Sequence, residues 1–237
     1  MKHRPSRIFS EIFIKPFASL TRFELCLWLT SAAVIALSFT LSRENPLTLA
    51  ASLVGVTALI FLARGAVLGQ ILVLLFSLLY GAVSFQLHYW GEMLTYLGMT
   101  APMAVLALIS WVRHPYKESG EVAVQRLSKK QVIGAVWLTI LATTVFGTLL
   151  WLLSTPNLPV AIVSVATSFL AASLTFLRSP YYALGYVAND VVLIVLWVIA
   201  TTGDLSFLPM VLCFVMFLFN DLYGFYCWRR MEKRQEE

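Results

Sequence analysis

Residues 181–201 read YYALGYVANDVVLIVLWVIAT, an apolar run with Asn189 and Asp190 at its centre. A helix needs about 20 apolar residues to cross the hydrocarbon core of a bilayer, so this stretch is long enough to span a membrane. A carboxylate at mid-membrane costs roughly 2.5–3.5 kcal/mol, so we expect Asp190 to face protein or water rather than lipid. The stretch therefore predicts a membrane-spanning helix with one polar face directed into the protein.

One stripe of this helix combines aromatic rings with an amide. Rings and an amide together suit a site for a flat, polar ring compound. The alternative is that Asn189 hydrogen-bonds to a neighbouring helix, while the rings are packing or belong to the interfacial belt. From the stripe alone, both interpretations stand. At a period of 3.6 residues, the stripe contains Tyr182, Tyr186, Asn189, Leu193 and Trp197.

The composition of the whole chain matches this helix. Of its 237 residues, 59% are hydrophobic and 12% are charged, whereas a soluble domain has about a quarter charged residues. The three cysteines form no CxxC pair, the three histidines are far apart, and no nucleotide-hydrolysis or metalloprotease motif is present. We therefore expect an integral membrane protein that is not an enzyme and that has no metal, cofactor or nucleic-acid partner.

The chain is predicted to cross the membrane eight times. A basic amphipathic leader, residues 1–22, precedes the first crossing and is expected to lie on the membrane surface. All 17 Lys and Arg residues except Arg43 fall at the termini or in loops on one side, so the positive-inside rule places both termini in the cytoplasm. The apolar segments are 23–41, 47–63, 66–87, 93–112, 131–153, 159–177, 181–201 and 207–228.

Segments two to four and six to eight resemble each other. Gly69 precedes Trp111 by 42 residues, and Gly185 precedes Trp228 by 43. A single linker helix between two triplets inserts both in the same direction, which is a parallel repeat with a substrate site between the halves near the midplane. The predicted parts are the extra helix 23–41, the first triplet 47–112, the polar loop 113–130, the linker helix 131–153, the second triplet 159–228 and the tail 229–237.

Further polar residues of the apolar segments are candidates for this interface. Gln70 lies in segment three, on a polar face with Tyr80 beside it, and the dipeptide Asn220-Asp221 lies in segment eight. Asp221 is about two turns from the cytoplasmic end of its helix. Instead of binding substrate, it could reach the membrane–water interface or pair with Arg178. Ser and Thr residues in segment six are ordinary material for helix packing in membranes.

Several of these features, taken in order, resemble the PnuC family of vitamin transporters. The stretch from Gly69 to Lys117, with Gly91-Glu92-Met93 and Pro102-Met103 before Trp111, is similar to the first triplet of the family. The second triplet resembles the family in Ser168, Arg178, Asn189, Trp197 and the ending Asn220-Asp221-Leu222-Tyr223-Gly224 followed by Trp228. The resemblance spans roughly residues 47–230 and leaves out the first apolar segment.

The resemblance implies an all-α integral membrane fold related to the SWEET sugar transporters, with eight transmembrane helices in a 3+1+3 plan behind one extra helix. It also implies a homotrimer in a bacterial inner membrane that imports nicotinamide riboside by facilitated diffusion, with a cytoplasmic kinase trapping the substrate. Departures from the family pattern put the choice of vitamin in question. They fall at Tyr96, Met99, Thr100, Ala172 and Gly185.

Nicotinamide riboside is a cationic aromatic ring with a carboxamide and a ribose. Aromatic rings can stack on the cation, amides can bond the polar groups, and a carboxylate can balance the charge. Thiamine or another vitamin, coupling to protons or sodium through Asp190, and a receptor that does not transport remain alternatives. The predicted substrate-binding residues are Tyr80, Trp111, Tyr182, Tyr186 and Trp197 as rings, Gln70, Asn189 and Asn220 as amides, and Asp190 or Asp221 as the carboxylate.

Overall fold

The computed structural model describes residues 15–42, 45–86, 90–117 and 120–237. In these ranges eight helices are long and apolar enough to cross a membrane, which confirms the predicted all-α membrane fold with eight crossings. Most of the predicted leader, and Arg43 in the first loop, lie outside the described residues. The helices are α1 Arg22–Ser42, α2 Pro46–Ala63, α3 Val67–Gln86, α4 Trp90–Arg113, α5 Lys129–Leu152, α6 Leu158–Phe176, α7 Tyr182–Gly203 and α8 Leu208–Glu236.

Local sequence determines where several helices begin. The side chain of Asn45 accepts a hydrogen bond from the backbone N–H of Leu47, which caps α2 directly before Pro46. Ser128 and Gln131 form a capping box at the start of α5. Prolines lie in the first turns of α2, α6 and α8, where the missing N–H has no intrahelical partner to lose.

Two helices extend three or more residues beyond their predicted bounds. Helix α4 begins at Trp90 and so includes Glu92, which the sequence had placed in the preceding loop. Helix α8 continues to Glu236, because its polar last turns are held against the loop that precedes α5. There Gln235 accepts from the N–H of Val124 at 2.8 Å and donates to the carbonyl of Val122 at 3.1 Å.

The two ends of the helix bundle differ in charge. Helices α2, α4, α6 and α8 end, and α3, α5 and α7 begin, on the side that carries Arg64, Arg178 and the loop before α5. We call this side the basic face and the other side the opposite face. Backbone hydrogen bonds join the loops of the basic face, from Val122 N–H to Gly65 O and from Gln125 N–H to Arg178 O, both at 3.0 Å.

Helix α1 is attached to the bundle by polar contacts as well as by packing. It packs against α2 and α8. The indole N–H of Trp28 donates to Thr57 Oγ1 on α2 at 2.9 Å, and Asn220 Nδ2 on α8 donates to Ser31 Oγ at 3.0 Å. The extra helix is therefore part of the folded core rather than a detached span.

The two triplets, α2–α4 and α6–α8, exchange one tryptophan contact each. Trp111 at the end of α4 donates its indole N–H to the carbonyl of Thr175 on α6 at 3.0 Å. Trp228 on α8 donates to the carbonyl of Leu62 on α2 at 2.7 Å. The acceptors Leu62 and Thr175 are 113 residues apart in sequence, as are the first-turn prolines Pro46 and Pro159. This reciprocal arrangement is consistent with the predicted parallel repeat.

Candidate functional site

A cavity of about 120 Å³ lies between the two triplets. Residues of α2, α3, α4, α6, α7 and α8 line it, together with Leu150 of α5 and Thr155 of the following loop, whereas no residue of α1 does so. This is the position in which the sequence predicted a substrate site. Its polar lining consists of Glu92, Thr95, Tyr96, Thr100, Thr155, Ser164, Ser168, Tyr186, Asn189, Asp190 and Asp221.

A second cavity, of about 470 Å³, lies on the opposite-face side of the first. Its walls include Trp90 and Trp197 and the loop residues Ser154–Asn157 that connect α5 with α6. Five residues line both cavities, so the two adjoin and together lead from the opposite face towards the centre of the bundle. The shared residues are Gly91, Glu92, Thr155, Ala161 and Leu196.

An aromatic layer closes the bundle between the central cavity and the basic face. Trp111 and Trp228 are fully buried, with ring centroids 5.4 Å apart. Tyr182, also buried, packs edge-on against Trp228 at 4.8 Å. We call Trp111, Tyr182 and Trp228 the aromatic layer. The structure is thus open towards the opposite face and closed towards the basic face.

Asn189 lines the central cavity and also bonds to a neighbouring helix. Its side-chain carbonyl Oδ1 accepts hydrogen bonds from Thr167 at 3.0 Å and from Ser164 at 3.3 Å, both on α6. Its amide nitrogen has no protein partner among the described residues. The two interpretations of Asn189 are therefore compatible, since α6 orients the side chain and leaves its N–H groups available to a ligand.

Asp190 and Asp221 meet at the cavity wall, one from α7 and one from α8. Each is 3% exposed, and their carboxyl groups lie within hydrogen-bonding reach of each other. In the part of the chain that the structure describes, neither forms an ion pair. Arg178, the alternative partner of Asp221, bonds instead to Ser110 at 2.8 Å.

The charged groups of the central cavity are all acidic. Glu92, on the first turn of α4, is the third carboxylate of the lining, and no Lys, Arg or His is among the described lining residues. Arg178 lies in the loop between α6 and α7, where partial burial lowers the pKa of its guanidinium below the ordinary value. The cavity therefore presents negative and neutral polar groups to a ligand.

Aromatic rings form one wall of the central cavity. Tyr96 and Phe76 lie in van der Waals contact with ring centroids 5.7 Å apart. Tyr80 packs behind Tyr96 at 4.5 Å and does not itself line the cavity. Tyr186 contributes a further ring from α7. The wall offers π faces of the kind that attract a cationic ring.

A π-helical turn places Tyr96 and Thr100 in this wall. The turn runs over Tyr96–Thr100, and the N–H of Ala101 bonds to the carbonyl of Tyr96, five residues back. Pro102 follows, and because proline has no N–H it cannot continue the α-helical bonding to Gly98. Such turns insert one residue into a helix and occur frequently at functional sites.

The ten predicted site residues fall into distinct groups. Four of them line the central cavity and one lines the second, outer cavity; the remaining five line neither. Trp111 and Tyr182 belong to the aromatic layer, and Tyr80 supports the wall from behind. The residues of the central cavity are Tyr186, Asn189, Asp190 and Asp221, and the residue of the outer cavity is Trp197. Gln70 and Asn220 line neither cavity.

Asn220 and Gln70 lie outside the cavity for different reasons. Successive helical residues point about 100° apart, so with Asp221 directed at the cavity, Asn220 faces α1 and bonds to Ser31. Gln70 lies in the first turn of α3, only 2% exposed, with no partner for its Nε2 atom among the described residues.

The sequence interpretation missed Glu92 and did not include Tyr96 among the binding residues. A carboxylate at the edge of an apolar segment, without a basic neighbour, is the signal that would have identified Glu92. Tyr96 and Thr100 were noted only as departures from the family pattern, and both line the cavity. Gly185, another departure, does not. A Cβ there would lie 2.9 Å from the Cα of Ala171, so this position sets the close packing of α7 on α6.

Comparisons with known proteins agree with this architecture. The family model described as nicotinamide mononucleotide transporter matches residues 45–230. The nicotinamide riboside transporter PnuC of Neisseria mucosa is 29% identical over 230 residues, which cover 92% of this chain and 85% of that protein. The protein of the same name from Haemophilus influenzae is 24% identical over 196 residues, covering 81% of this chain and 82% of that one.

A solved structure has the same fold. The crystal structure of the vitamin B3 transporter PnuC aligns with a TM-score of 0.81 at 24% sequence identity, covering 98% of this chain and 100% of that chain. The alignment includes α1, which the sequence resemblance had left out. The arrangement of all eight helices is thus shared with a membrane transporter.

Proposed function

The chain belongs to the PnuC family of membrane transporters, and we propose that it carries nicotinamide riboside through the central cavity between its two triplets. Transport, rather than enzymatic catalysis, is the function of this family. The relatives from Neisseria mucosa and Haemophilus influenzae are named as nicotinamide riboside transporters, whereas the family model is described by the mononucleotide. The two candidate substrates differ by one phosphate group, and the cavity offers a physical basis for choosing between them.

The charge of the lining carries the proposal. A phosphate group adds a charge of about −1.5 to −2 at neutral pH and is ordinarily bound by Arg, Lys or helix N-termini. Here the described lining has three carboxyl groups, on Glu92, Asp190 and Asp221, and no basic side chain, so it would repel a phosphate and attract a pyridinium cation. Nicotinamide riboside is such a cation and lacks the phosphate. The acidic lining therefore favours the riboside over the mononucleotide.

The uncharged lining fits the remainder of the substrate. The rings of Tyr96 and Tyr186 can stack on the pyridinium, and each cation–π contact contributes about 0.5–2 kcal/mol. The free N–H groups of Asn189 can donate to the carboxamide oxygen or to a ribose hydroxyl. Ser164 and Ser168 line the same cavity from the neighbouring helix α6. Thiamine, which is also cationic and aromatic, is the second candidate because the same features favour it.

The direction and mode of transport are part of the proposal. We place the basic face in the cytoplasm of a bacterial inner membrane, following the positive-inside rule. Substrate then enters from the opposite face, and one triplet moves against the other to open the aromatic layer. We propose facilitated diffusion as the mode of transport, as the family resemblance implies, and phosphorylation by a cytoplasmic kinase would trap the product. A homotrimer is proposed from the family resemblance, with the exposed apolar surface of α5 in the membrane.

Binding measurements on the purified protein test the substrate assignment. Isothermal titration with nicotinamide riboside, its mononucleotide, thiamine and riboflavin should give saturable heat for nicotinamide riboside and none for the mononucleotide. If only thiamine gives saturable heat, the fold and the cavity stand as described, and thiamine becomes the proposed substrate. Tight binding of the mononucleotide would contradict the charge argument.

A further inference from the structure

The Asp190–Asp221 pair has an unusual environment for two carboxyl groups. Both side chains are 3% exposed and lie within hydrogen-bonding reach of each other. The Oδ2 atom of Asp190 is buried and receives no hydrogen bond from any described residue. Both residues line the central cavity, so the pair lies at the site in which a ligand would be held.

No described residue supplies a positive charge to the pair. Helices α2 and α6, which flank it, contain no ionisable side chain. The titratable groups that face the pair from α4, α7 and α8 are all acids, neutral when protonated and negative when deprotonated. None of them can therefore compensate a second negative charge. They are Glu92, Tyr96, Tyr182, Tyr186 and Cys213.

Two carboxyl groups in contact, out of water and without a cation, cannot both be ionised. A single proton shared between them satisfies one lone pair on each side and leaves one negative charge. The pair then titrates as a unit, as carboxylate dyads do in other proteins. One negative charge matches the single positive charge of a pyridinium or thiazolium ring.

We propose that Asp190 and Asp221 hold one shared proton and together act as a single anionic site for a monocationic ligand, exchanging a second proton for that cation. The proposal rests on the function proposed above only for the cationic nature of the substrate. When the pair is doubly protonated and neutral, an arriving cation displaces one proton, which leaves through the adjoining outer cavity to bulk water. The shared proton remains between the carboxyl groups.

The sign of the pH dependence follows from this exchange. At low pH the pair is neutral, so binding releases a proton and the apparent affinity falls as the pH falls. At higher pH the pair already carries its single negative charge, so binding releases no proton and the affinity is constant. The change in apparent Kd is at most about tenfold per pH unit, which is the limit for one linked proton.

The proton count can be measured directly. Titration of the purified full-length protein with nicotinamide riboside, in buffers of different ionisation enthalpy, gives the number of protons released per ligand. We expect this number to fall from near one towards zero as the pH of the titration is raised. A count of zero throughout the range would overturn the exchange.

Substitutions test the sharing of the proton. An Asn side chain has the shape of a protonated carboxyl group and, like it, donates a hydrogen bond. The remaining Asp keeps the single negative charge, so Asp190→Asn and Asp221→Asn should each change Kd by less than about threefold. The double variant lacks the charge and should bind roughly tenfold to 100-fold more weakly, the loss expected for a charge-assisted contact. Glu24→Gln, which removes a buried carboxylate paired with Arg64 away from the cavity, is the matched control and should leave Kd unchanged.

Several results would contradict the pair as a single-charge unit. A single Asn variant as weak as the double variant would show that the two carboxylates act separately, and a double variant that binds like wild type would show that neither holds the ligand. Failure of the proposed substrate is distinguishable, because wild type would then give no heat with nicotinamide riboside. Thiamine, another monocation, would replace it as the probe, and absence of binding for both cations would overturn the pair as a cation site.

Discussion

At the scale of single residues, the site depends on which side chains are oriented by the protein and which of their atoms remain free. Asn189 has its carbonyl bonded to Thr167 and Ser164 on α6, so its rotamer is set before a ligand arrives. Preorganised groups of this kind lose little conformational entropy on binding. Its available N–H groups make Asn189 the most direct polar contact that we propose for the substrate.

Asn189→Ala should weaken substrate binding by about 1–3 kcal/mol, because a buried polar group of the ligand loses its partner. Isothermal titration measures this change. The matched control is Asn220→Ala, since Asn220 is also buried but bonds to Ser31 on α1. We expect the control to lower the thermal unfolding temperature and to leave Kd unchanged. Wild-type affinity in the Asn189 variant would remove this residue from the site.

The residues of the site show how far a sequence pattern reaches. The 3.6-residue stripe on α7 correctly put Asn189 on the inward face of its helix, because Asp190 limits how that helix can be rotated in a membrane. For Asn220 and Asp221 the pattern offered no such limit. Which of the two faces the cavity depends on the position of α1, whose contacts with α8 are not visible in the sequence of α8.

At the scale of elements, α4 combines a helix that spans the membrane with a turn that departs from α-helical bonding. The π turn Tyr96–Thr100 directs both of its end residues into the cavity. Pro102 provides its local cause, and a proline after a Thr-rich, apolar stretch is visible in the sequence. In the sequence, Pro102 stood out only as part of a family motif, so its consequence for Tyr96 was not predicted.

Pro102→Ala restores a backbone N–H and should let α4 adopt regular α-helical bonding through residues 96–101. The helix then gains stability, since proline in a helix interior costs about 3 kcal/mol. We expect an unfolding temperature at or above that of wild type but weaker substrate binding, because Tyr96 and Thr100 would rotate out of the wall. A variant that is more stable and binds equally well would show that the π turn does not serve the site.

The aromatic layer is the element that we expect to open during transport. Trp111 and Trp228 each donate a hydrogen bond to the other triplet, so the two bonds hold the basic face closed. A double substitution to Phe retains most of the ring packing and removes about 0.5–1.5 kcal/mol per hydrogen bond. The closed state should lose population accordingly.

Hydrogen–deuterium exchange tests this expectation in the Trp111→Phe/Trp228→Phe variant. Backbone amides near residues 60–66 and 173–179, next to the two carbonyl acceptors, should exchange faster than in wild type, while substrate Kd stays close to wild type. Trp137→Phe is the control, because Trp137 lies on α5 and is 65% exposed on the apolar surface. Unchanged exchange in the double variant would exclude the two hydrogen bonds as part of the closure.

At the scale of the whole molecule, the loop between the triplets connects their basic-face ends. The guanidinium of Arg178, from the second triplet, donates to Ser110 of the first triplet, to the carbonyl of Ala123 at 3.1 Å and to Gln125 at 2.7 Å in the loop. From the sequence, the charges of this loop were predicted to be determinants of topology. The structure adds that the loop is a packed part of the closed basic face.

Arg178→Ala should destabilise the protein by about 1.5–3 kcal/mol, because several hydrogen bonds to a charged group are lost at once. Arg178→Lys keeps the charge but not the planar fork of donors, so we expect it to recover only part of the loss. Thermal unfolding of the purified protein measures both. Arg113→Ala, at an exposed position, is the control and should have little effect; equal stability of the Arg178 and Arg113 variants would contradict this role.

The global architecture was predictable because a membrane limits the options. Apolar length and the one-sided distribution of Lys and Arg together indicate eight crossings and their order. The extension of α8 to Glu236 was not predictable in the same way. Its polar last turns have no apolar periodicity, and they stay helical through contacts such as Gln235 with Val122, which join residues far apart in the sequence.

Uptake by the purified protein in sealed liposomes tests the central claim most directly. With labelled nicotinamide riboside outside and no ion gradient, we predict entry until the internal and external concentrations are equal. At substrate concentrations well below Kd, we predict entry at a rate roughly tenfold to 100-fold lower in the Asp190→Asn/Asp221→Asn variant. The proposed facilitated diffusion would be contradicted by accumulation that requires an imposed proton or sodium gradient. Binding without any entry would contradict transport itself and would favour a receptor.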